Sequence, residues 1–576
     1  TTGSQNTALG RSCLGDNTTA SNNTGVGYFA LKGNTTGSNN TAVGHGALDV
    51  NSTASNNTAV GSAALGVNTT GTQNVAVGAE ALENNQTGGD NVAVGYRALE
   101  DNTANNNIAV GNFCLQVNTS GTENVGIGKS CLGANTTGDY NTAVGRHALS
   151  ANTTADNNTA VGRKALFAST TGTNNTAVGR QALEDATTAN NLTAVGSQAL
   201  AGNTTGANNT ATGTTSLLQC TTGDNNTGLG TEALYSLTTG DENTAIGKGA
   251  ADALTTGTGV IAIGVNSFGA ATGSYNTAVG TSALASVTGN HNVGIGRNTA
   301  AAISSGNYNT AIGDYAMDAQ TTPSSNTAVG YEAATDNTTG TQINAFGYQA
   351  LTNNTTGGAN TGLGCHTLHA NTTGSYNVAV GHNSLYTNST HSKNTAVGTE
   401  ALYNLTANYN TSLGYRAGYN IDNDENTAIG GEALYNASGS YRGVAVGFRA
   451  GYQTTTGDYN VHIGSHAGYS NTTDSYTTFV GYFAGYYNTT GSGGGYSTGV
   501  GANALRGENT TDTTGYYNTA IGFNSMRAYT SGHRNTAVGH DTLRYITTGV
   551  YNCAFGYQSG YDLTTGQNNA LYGHQA

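Results

Sequence analysis

Short apolar clusters, separated by segments rich in Asn, Thr and Gly, recur along the whole chain. Residues 56–99 contain Asn-Thr-Ala-Val-Gly or a close variant three times, and each copy is followed after two residues by Ala-Leu. Clusters such as Ala42-Val43 and Ala47-Leu48 are too short for one face of a helix, and turn-forming residues bound them. The pattern therefore predicts short β-strands joined by turns.

The spacing of these phrases is nearly constant. We call the glycine that ends each phrase the index glycine; 26 of the 33 intervals between index glycines are 17 residues and five are 16. A period of 17 suits one coil of a β-solenoid built from two or three short strands. We therefore expect an all-β, parallel β-solenoid of about 17 residues per coil and roughly 33 coils, on the order of 160 Å long at the usual strand spacing.

Two longer intervals interrupt the regular coils. They run from Gly481 to Gly501 and from Gly501 to Gly522. Because extra residues in a solenoid coil emerge as loops, we divide the chain into regular coils over 1–480, two long coils over 481–522, and regular coils over 523–576.

Asparagine occupies the fourth position before the index glycine in coil after coil. We expect these side chains to stack along the solenoid as a ladder, since identical side chains in stacked strands can satisfy one another. The first members are Asn6, Asn23, Asn40, Asn57, Asn74, Asn91 and Asn107.

The apolar residues come in adjacent pairs, which predicts that both faces of a strand are covered. Neighbours in a strand, such as Ala42 and Val43, point to opposite faces. We place Val43 in the thin interior, and we expect a partner chain to cover the other face, so the solenoid should be a homo-oligomer. Alternatively, the small alanine is simply tolerated outside. The variable residues after the index glycine, such as Tyr28, should face solvent.

Composition narrows the range of partners. Charged residues make up 9% of the chain and the net charge is −14, and we expect no stripe of Lys and Arg. A nucleic-acid partner is therefore not expected, because phosphate binding needs a clustered basic face. No apolar run approaches the length of a membrane span, so we expect no membrane insertion in this segment.

The repeat, read as "NTAVGxxAL", resembles the head repeat of YadA-like trimeric autotransporter adhesins. It is also similar to "NTAVGYxAL…NTTG" arrays of tail-fibre-like proteins from phages and environmental bacteria. The resemblance covers nearly the entire chain and implies a left-handed β-roll, trimerised around a common axis, that binds host surfaces. The chain departs from the adhesins in its period of 17 and in showing no coiled-coil stalk, membrane barrel or C-terminal chaperone domain.

Motifs for catalysis or metal binding are not found. The segment "GIGKS" (126–130) lacks the first glycine of a phosphate-binding loop, because that position is Glu123. The 12 histidines are dispersed without metal-ligand spacing. We expect no enzyme activity, catalytic residue, metal or cofactor. Cys114 and Cys131 lie in adjacent coils, either within disulfide range or packed as free thiols.

Aromatic residues concentrate towards the C-terminus and supply the candidate binding site. One column should stack on sugar faces or form a structural stack, and Tyr residues near the long coils should border a receptor or glycan contact. The loops 488–499 and 506–519 are alternatively a tolerated insertion or a joint. The candidate binding residues are Tyr419, Tyr452, Tyr469, Tyr486, Tyr496, Tyr516 and Tyr517.

Many Asn-x-Thr/Ser sequons occur, and they have two interpretations. In a secreted eukaryotic protein they would accept glycans, whereas an Asn/Thr-rich turn also produces sequons for structural reasons alone. The candidates are Asn34, Asn51, Asn68, Asn135 and Asn488.

The combined expectation is a structural and adhesive fibre at the cell surface, on a virion or otherwise extracellular. Its partners would be copies of itself and a carbohydrate or cell-surface receptor. A self-assembling filament or sheath subunit, glycosylated or not, is the alternative. Ice binding ranks lower, because it would need strands with outward-facing Thr-x-Thr, whereas the threonine pairs lie in the "NTT" turns.

Overall fold

The computed structural model describes residues 2–489, 495–509 and 513–576. Contacts group the chain into two compact units, Thr1–Val287 and Thr288–Ala576. Each unit is a parallel β-solenoid in which every coil contributes one strand of three residues. Within the described residues no helix is long and apolar enough to cross a bilayer.

The first unit contains seventeen strands. They are β1 (Thr7–Leu9), β2 (Thr24–Val26), β3 (Thr41–Val43), β4 (Thr58–Val60), β5 (Val75–Val77), β6 (Val92–Val94), β7 (Ile108–Val110), β8 (Val125–Ile127), β9 (Thr142–Val144), β10 (Thr159–Val161), β11 (Thr176–Val178), β12 (Thr193–Val195), β13 (Thr210–Thr212), β14 (Thr227–Leu229), β15 (Thr244–Ile246), β16 (Ile261–Ile263) and β17 (Thr277–Val279).

The second unit also contains seventeen. They are β18 (Val293–Ile295), β19 (Thr310–Ile312), β20 (Thr327–Val329), β21 (Asn344–Phe346), β22 (Thr361–Leu363), β23 (Val378–Val380), β24 (Thr395–Val397), β25 (Thr411–Leu413), β26 (Thr427–Ile429), β27 (Val444–Val446), β28 (Val461–Ile463), β29 (Thr478–Val480), β30 (Thr498–Val500), β31 (Thr519–Ile521), β32 (Thr536–Val538), β33 (Cys553–Phe555) and β34 (Ala570–Tyr572).

Equivalent residues of successive coils pair in register. Ala42 of β3 lies opposite Ala59 of β4, and the same parallel register joins β29 to β30 and β30 to β31 across the two long coils. The predicted all-β solenoid with about 17 residues per coil is confirmed. The prediction of two or three strands per coil is wrong: Ala47 and Leu48 lie in a turn segment.

The strand faces are the reverse of our assignment. Ala42 is completely buried, whereas Val43 is 37% exposed. In a three-residue strand the first and third side chains share one face and the middle one takes the other. The interior is narrow enough that only the middle alanine enters it, so our placement of Val43 in the interior is wrong. Tyr28 is exposed, as predicted.

The rest of the interior is filled by a leucine that lies in the turn segment and points inward. Ala47 and Leu48 are both fully buried although they are adjacent, and Leu48 has a φ of 51°. This left-handed conformation, rare for a bulky side chain, bends the chain so that both residues point inward. The turn begins at Gly44, where φ is 140° and a Cβ would overlap the carbonyl oxygen of Gly61 in the next coil.

The interior keeps its volume by exchanging large and small residues within a coil. In the coil of β28 the middle strand residue is His462, and the leucine position is Gly468, where a Cβ would clash with the imidazole. Phe479 and Gly485 repeat this exchange in the next coil. Burial lowers the pKa of His462 to about 3, so this imidazole is a neutral core group.

The corrected faces predict opposite effects for two neighbouring substitutions. Ala42→Asp would bury a charge in the interior and should open its own and adjoining coils, because each coil contacts only its neighbours. Val43→Asp places the charge outside and should leave the backbone amides within these coils protected. Hydrogen exchange of residues 24–65 measures both variants; equal loss of protection would contradict the assignment.

Candidate functional site

The predicted asparagine ladder is present, and it ties each coil to the next through the backbone. The backbone N–H of Asn57 donates to Asn40 Oδ1 at 2.9 Å. Asn40 Nδ2 donates to the carbonyl of Ala54 at 2.9 Å. Asn57 in turn accepts from the N–H of Asn74 at 2.9 Å. Each side-chain amide therefore satisfies two buried backbone groups of the following coil, and these asparagines are structural.

A second, unpredicted ladder contains the sequon asparagines. Asn51 Nδ2 donates to Asn34 Oδ1 at 2.8 Å and to the carbonyl of Ala54 at 3.0 Å. Asn68 repeats the arrangement with Asn51, and both amide hydrogens are used at each step. All five glycosylation candidates are fully buried: Asn34, Asn51, Asn68, Asn135 and Asn488. A glycan on these nitrogens is incompatible with the ladder.

The tyrosine column forms a continuous ring stack longer than we predicted. Neighbouring ring centroids are 4.9–5.2 Å apart and the rings are almost parallel. The members, in order, are His369, Tyr386, Tyr403, Tyr419, Tyr435, Tyr452, Tyr469 and Tyr486. Each ring face inside the stack is covered by the next ring, so only edges and hydroxyls remain for a partner. The geometry supports a structural stack.

Arginines of the same coils make cation–π contacts with tyrosines of this stack. The guanidinium of Arg416 lies 5.6 Å from the ring centre of Tyr419, and that of Arg449 lies 5.4 Å from Tyr452. Arg416 also pairs with Glu400 at 2.5 Å. Desolvation raises the pKa of Tyr419 and of Tyr452, so these phenols stay neutral at physiological pH.

The other candidate tyrosines belong to different columns. Tyr496 stacks on Tyr476 at 5.0 Å and on Tyr517 at 5.1 Å, so this stack crosses both long coils. Tyr516 instead stacks on His533 at 4.8 Å. Tyr496 and Tyr517 remain about half exposed. The structure thus separates the seven predicted residues into three places.

The loops of the two long coils are only partly described. Of the predicted loops 488–499 and 506–519, residues 490–494 and 510–512 lie outside the described residues. Arg506, Gly507, Glu508 and Arg527 line a depression of about 110 Å³. The role of these loops as a receptor contact stays a prediction.

Next to the long coils, a buried tyrosine forms a hydrogen bond with an asparagine of the second ladder. Tyr529 is fully buried and its hydroxyl donates to Asn488 Oδ1. Asn488 Nδ2 donates to Asp474 Oδ2 at 2.9 Å. Burial, followed by the charge of Asp474, raises the pKa of Tyr529. The phenol reaches back past one coil to Asn488, and the equivalent position of the coil after Tyr529 is Ile546, so the asparagine ladder ends here.

The paired cysteines are buried and close. Cys114 Sγ lies 3.0 Å from Cys131 Sγ, and both residues are free thiols, which is the packed arrangement of the two that the sequence left open. Gly126 stands between them at a middle strand position, where a Cβ would overlap Cys114 Sγ. The hydrogen bond from Cys131, followed by burial, raises the pKa of Cys114, so this thiol is protonated and unreactive in the folded coil.

Stacking also brings three carboxylates together in the first unit. Glu80, Glu83 and Glu100 place one oxygen each within 4.8 Å of one another. Arg97 already lies among them, 2.5 Å from Glu80 and 3.8 Å from Glu100. Burial, then the neighbouring carboxylates, raises the pKa of Glu83. The cluster is thus partly neutralised from within the chain.

Comparison with known proteins gives no family. No protein-family model matches the chain, and no curated protein matches it significantly. The resemblance to adhesin heads and tail fibres therefore depends on the repeat alone.

Sequence reasoning missed one charged feature. Lys129, Arg146, Arg163 and Arg180 each follow an index glycine, and successive coils bring them into one exposed column. The expectation that no stripe of Lys and Arg exists is wrong, because residues 17 apart in sequence lie next to one another on successive coils. Aligning the coils on the index glycine would have revealed it.

The ring stack predicts a local stability effect. Tyr435→Ala removes two ring contacts, at 5.0 and 5.1 Å, and should lower the free energy of local unfolding by about 1–3 kcal/mol. Tyr376→Ala is the control, because Tyr376 is 64% exposed and outside the stack. Hydrogen exchange of residues 414–464 measures the effect, and equal changes in both variants would contradict a structural stack.

Proposed function

We propose that the chain is the shaft of a homo-oligomeric structural and adhesive fibre whose copies associate through the outward face of the strands. The single observation that carries the proposal is the third strand residue, which is aliphatic or aromatic in every strand except β13. Val43, Val60, Val77 and Val110 are each 37% exposed and Ile127 is 42% exposed. This set of third strand residues is called the valine column below.

The valine column is a larger apolar surface than a monomeric protein usually exposes to water. Monomeric soluble proteins rarely expose a contiguous apolar patch above about 300–600 Å². Strand pairing places each member beside the next at the strand spacing, so the column continues along each unit. A partner that covers such a surface must repeat with the same spacing over the same length, and another copy of this chain does so.

The resemblance to adhesin heads indicates how many chains the assembly should contain. It implies three chains around a common axis, with their outer surfaces left for a host receptor or glycan. A filament joined end to end would use other surfaces and would leave the valine column in water.

The outward face gives little support to ice binding. Its first position is most often threonine, but its third is apolar. Only β13, with Thr210 and Thr212, places threonine at both outward positions. The requirement for outward Thr-x-Thr is met in one strand of 34.

The assembly is tested by the native mass of the full chain. We expect sedimentation equilibrium to give three times 57.9 kDa, and Val60→Lys with Val77→Lys to give the monomer mass with unchanged circular dichroism. Tyr140→Lys with Tyr376→Lys adds the same charge at residues 55% and 64% exposed and should leave the mass unchanged.

Two results would contradict this proposal. A folded wild-type monomer would show that the valine column faces solvent. A broad distribution of much larger masses that the valine substitutions do not alter would favour the end-to-end filament.

A further inference from the structure

Four basic residues, here called the cation column, occupy equivalent positions in four successive coils of the first unit. They are Lys129, Arg146, Arg163 and Arg180, and all four are exposed. The backbone connects them coil to coil. The carbonyl of Lys129 accepts from the next coil at 3.0 Å, and the carbonyls of Arg146 and Arg163 accept in the same way at 3.0 Å. Five of the 18 Lys and Arg residues, including Lys164, fall within residues 129–180.

Several charged side chains elsewhere in the solenoid pair with the opposite charge in a neighbouring coil. The pairs are Glu80 with Arg97, Glu400 with Arg416, Glu425 with Arg442 and Glu432 with Arg449, at 2.5–2.6 Å. Among the described residues, no carboxylate lies within ion-pair distance of the cation column. Like charges in neighbouring coils repel each other, and in this column four of them follow one another without a carboxylate between them.

The surroundings of the column are also basic. Lys164 lies in the adjacent column, where it pairs with Glu184 at 2.7 Å and covers the ring of Phe167. The pKa of His147 is lowered by burial first, and then by Arg146, Lys129, Lys164 and Arg163. The positive potential of these coils therefore stands out from a chain whose net charge is −14.

The geometry selects a linear, regularly charged ligand. Cations on stacked coils are spaced by about 4.8 Å, the distance between neighbouring strands. Phosphates in one strand of a DNA duplex advance about 3.4 Å each along the helix axis and wind around it, so they do not follow a straight column of cations. Single-stranded nucleic acids also need aromatic platforms for their bases, and the column itself contains no aromatic residue. A polysaccharide with one acidic group per sugar places its charges along a line. It has no bases, so it needs no aromatic platforms.

We propose that the cation column binds the acidic groups of a linear anionic polysaccharide, sulfated or carboxylated, that runs along successive coils. The three guanidinium groups offer paired N–H donors to carboxylate or sulfate oxygens, which a point charge does not. This inference deepens the proposed adhesive role and rests on it. It assigns the glycan contact to the first unit, whereas the long coils belong to the second.

The experiment measures binding of dextran sulfate to the full chain at several salt concentrations. Arg146→Gln, Arg163→Gln and Arg180→Gln together should weaken binding at least tenfold and reduce the salt dependence, because fewer counterions are released. The matched control is Arg11→Gln, Lys248→Gln and Arg297→Gln, which removes the same charge from the same coil position in coils that are not adjacent. The control should stay within about twofold of the wild type.

Polygalacturonate, neutral dextran and oligo(dT) complete the comparison. Binding of either acidic polymer with loss in the column variant supports the inference, and the preferred polymer distinguishes sulfate from carboxylate. No binding of either at low salt, equal loss in the control variant, or tighter binding of oligo(dT) overturns it. Sedimentation of the same samples distinguishes the two proposals. A monomeric wild type that binds the acidic polymer through the cation column would contradict the homo-oligomeric fibre and still support the polysaccharide site.

Discussion

The solenoid depends on hydrogen bonds that the backbone and the buried asparagines make from one coil to the next. A three-residue strand forms few ladder bonds, so most backbone groups of a 17-residue coil need partners elsewhere. The backbone of the neighbouring coil supplies many of them, as where the Leu48 N–H donates to the carbonyl of Ala64. Asparagine supplies others: Asn40 accepts from the backbone of Asn57 and donates to that of Ala54. Both partners of Asn40 lie in the following coil, so a change in one coil disturbs the bonds of the next. This constraint explains why the chain repeats one phrase over its whole length.

The same constraint accounts for the places where the repeat changes. Coils of 16 residues and the two long coils keep the strand and the index glycine, because β29, β30 and β31 still pair in register. Next to the long coils, the Tyr529 hydroxyl donates to Asn488 of the second ladder. Inside, the exchange of alanine and leucine for His462 and Gly468 keeps the thin interior filled.

Much of the fold was predictable, because a fixed period reports directly on stacking. The index glycines predicted the coil, and the recurring asparagine predicted the first ladder. The strand faces were not predictable in the same way, since an apolar pair such as Ala42 and Val43 does not say which member is inside. Leu48 adopts a left-handed conformation that its residue type disfavours, so the turn was interpreted as a second strand.

The surface features required the coils to be aligned in space. The ring stack begins at His369, three coils before Tyr419, and its first tyrosines, Tyr386 and Tyr403, escaped prediction because Leu rather than Gly precedes them. The cation column was invisible as a sequence run because its members are a full coil apart. The sequons illustrate the opposite case. The motif is easily recognised in the sequence, but only the structure shows that its asparagines are buried in the second ladder.

The most direct test of this account is residue-resolved hydrogen exchange at Asn57 in two variants of Asn40. Asn40→Ala removes the oxygen that accepts from the Asn57 N–H, and Asn40→Asp keeps an acceptor at that position. The account predicts that Asn57 loses protection in the alanine variant and keeps more of it in the aspartate variant. Unchanged protection of Asn57 in Asn40→Ala would show that the asparagine ladder does not hold the coils together.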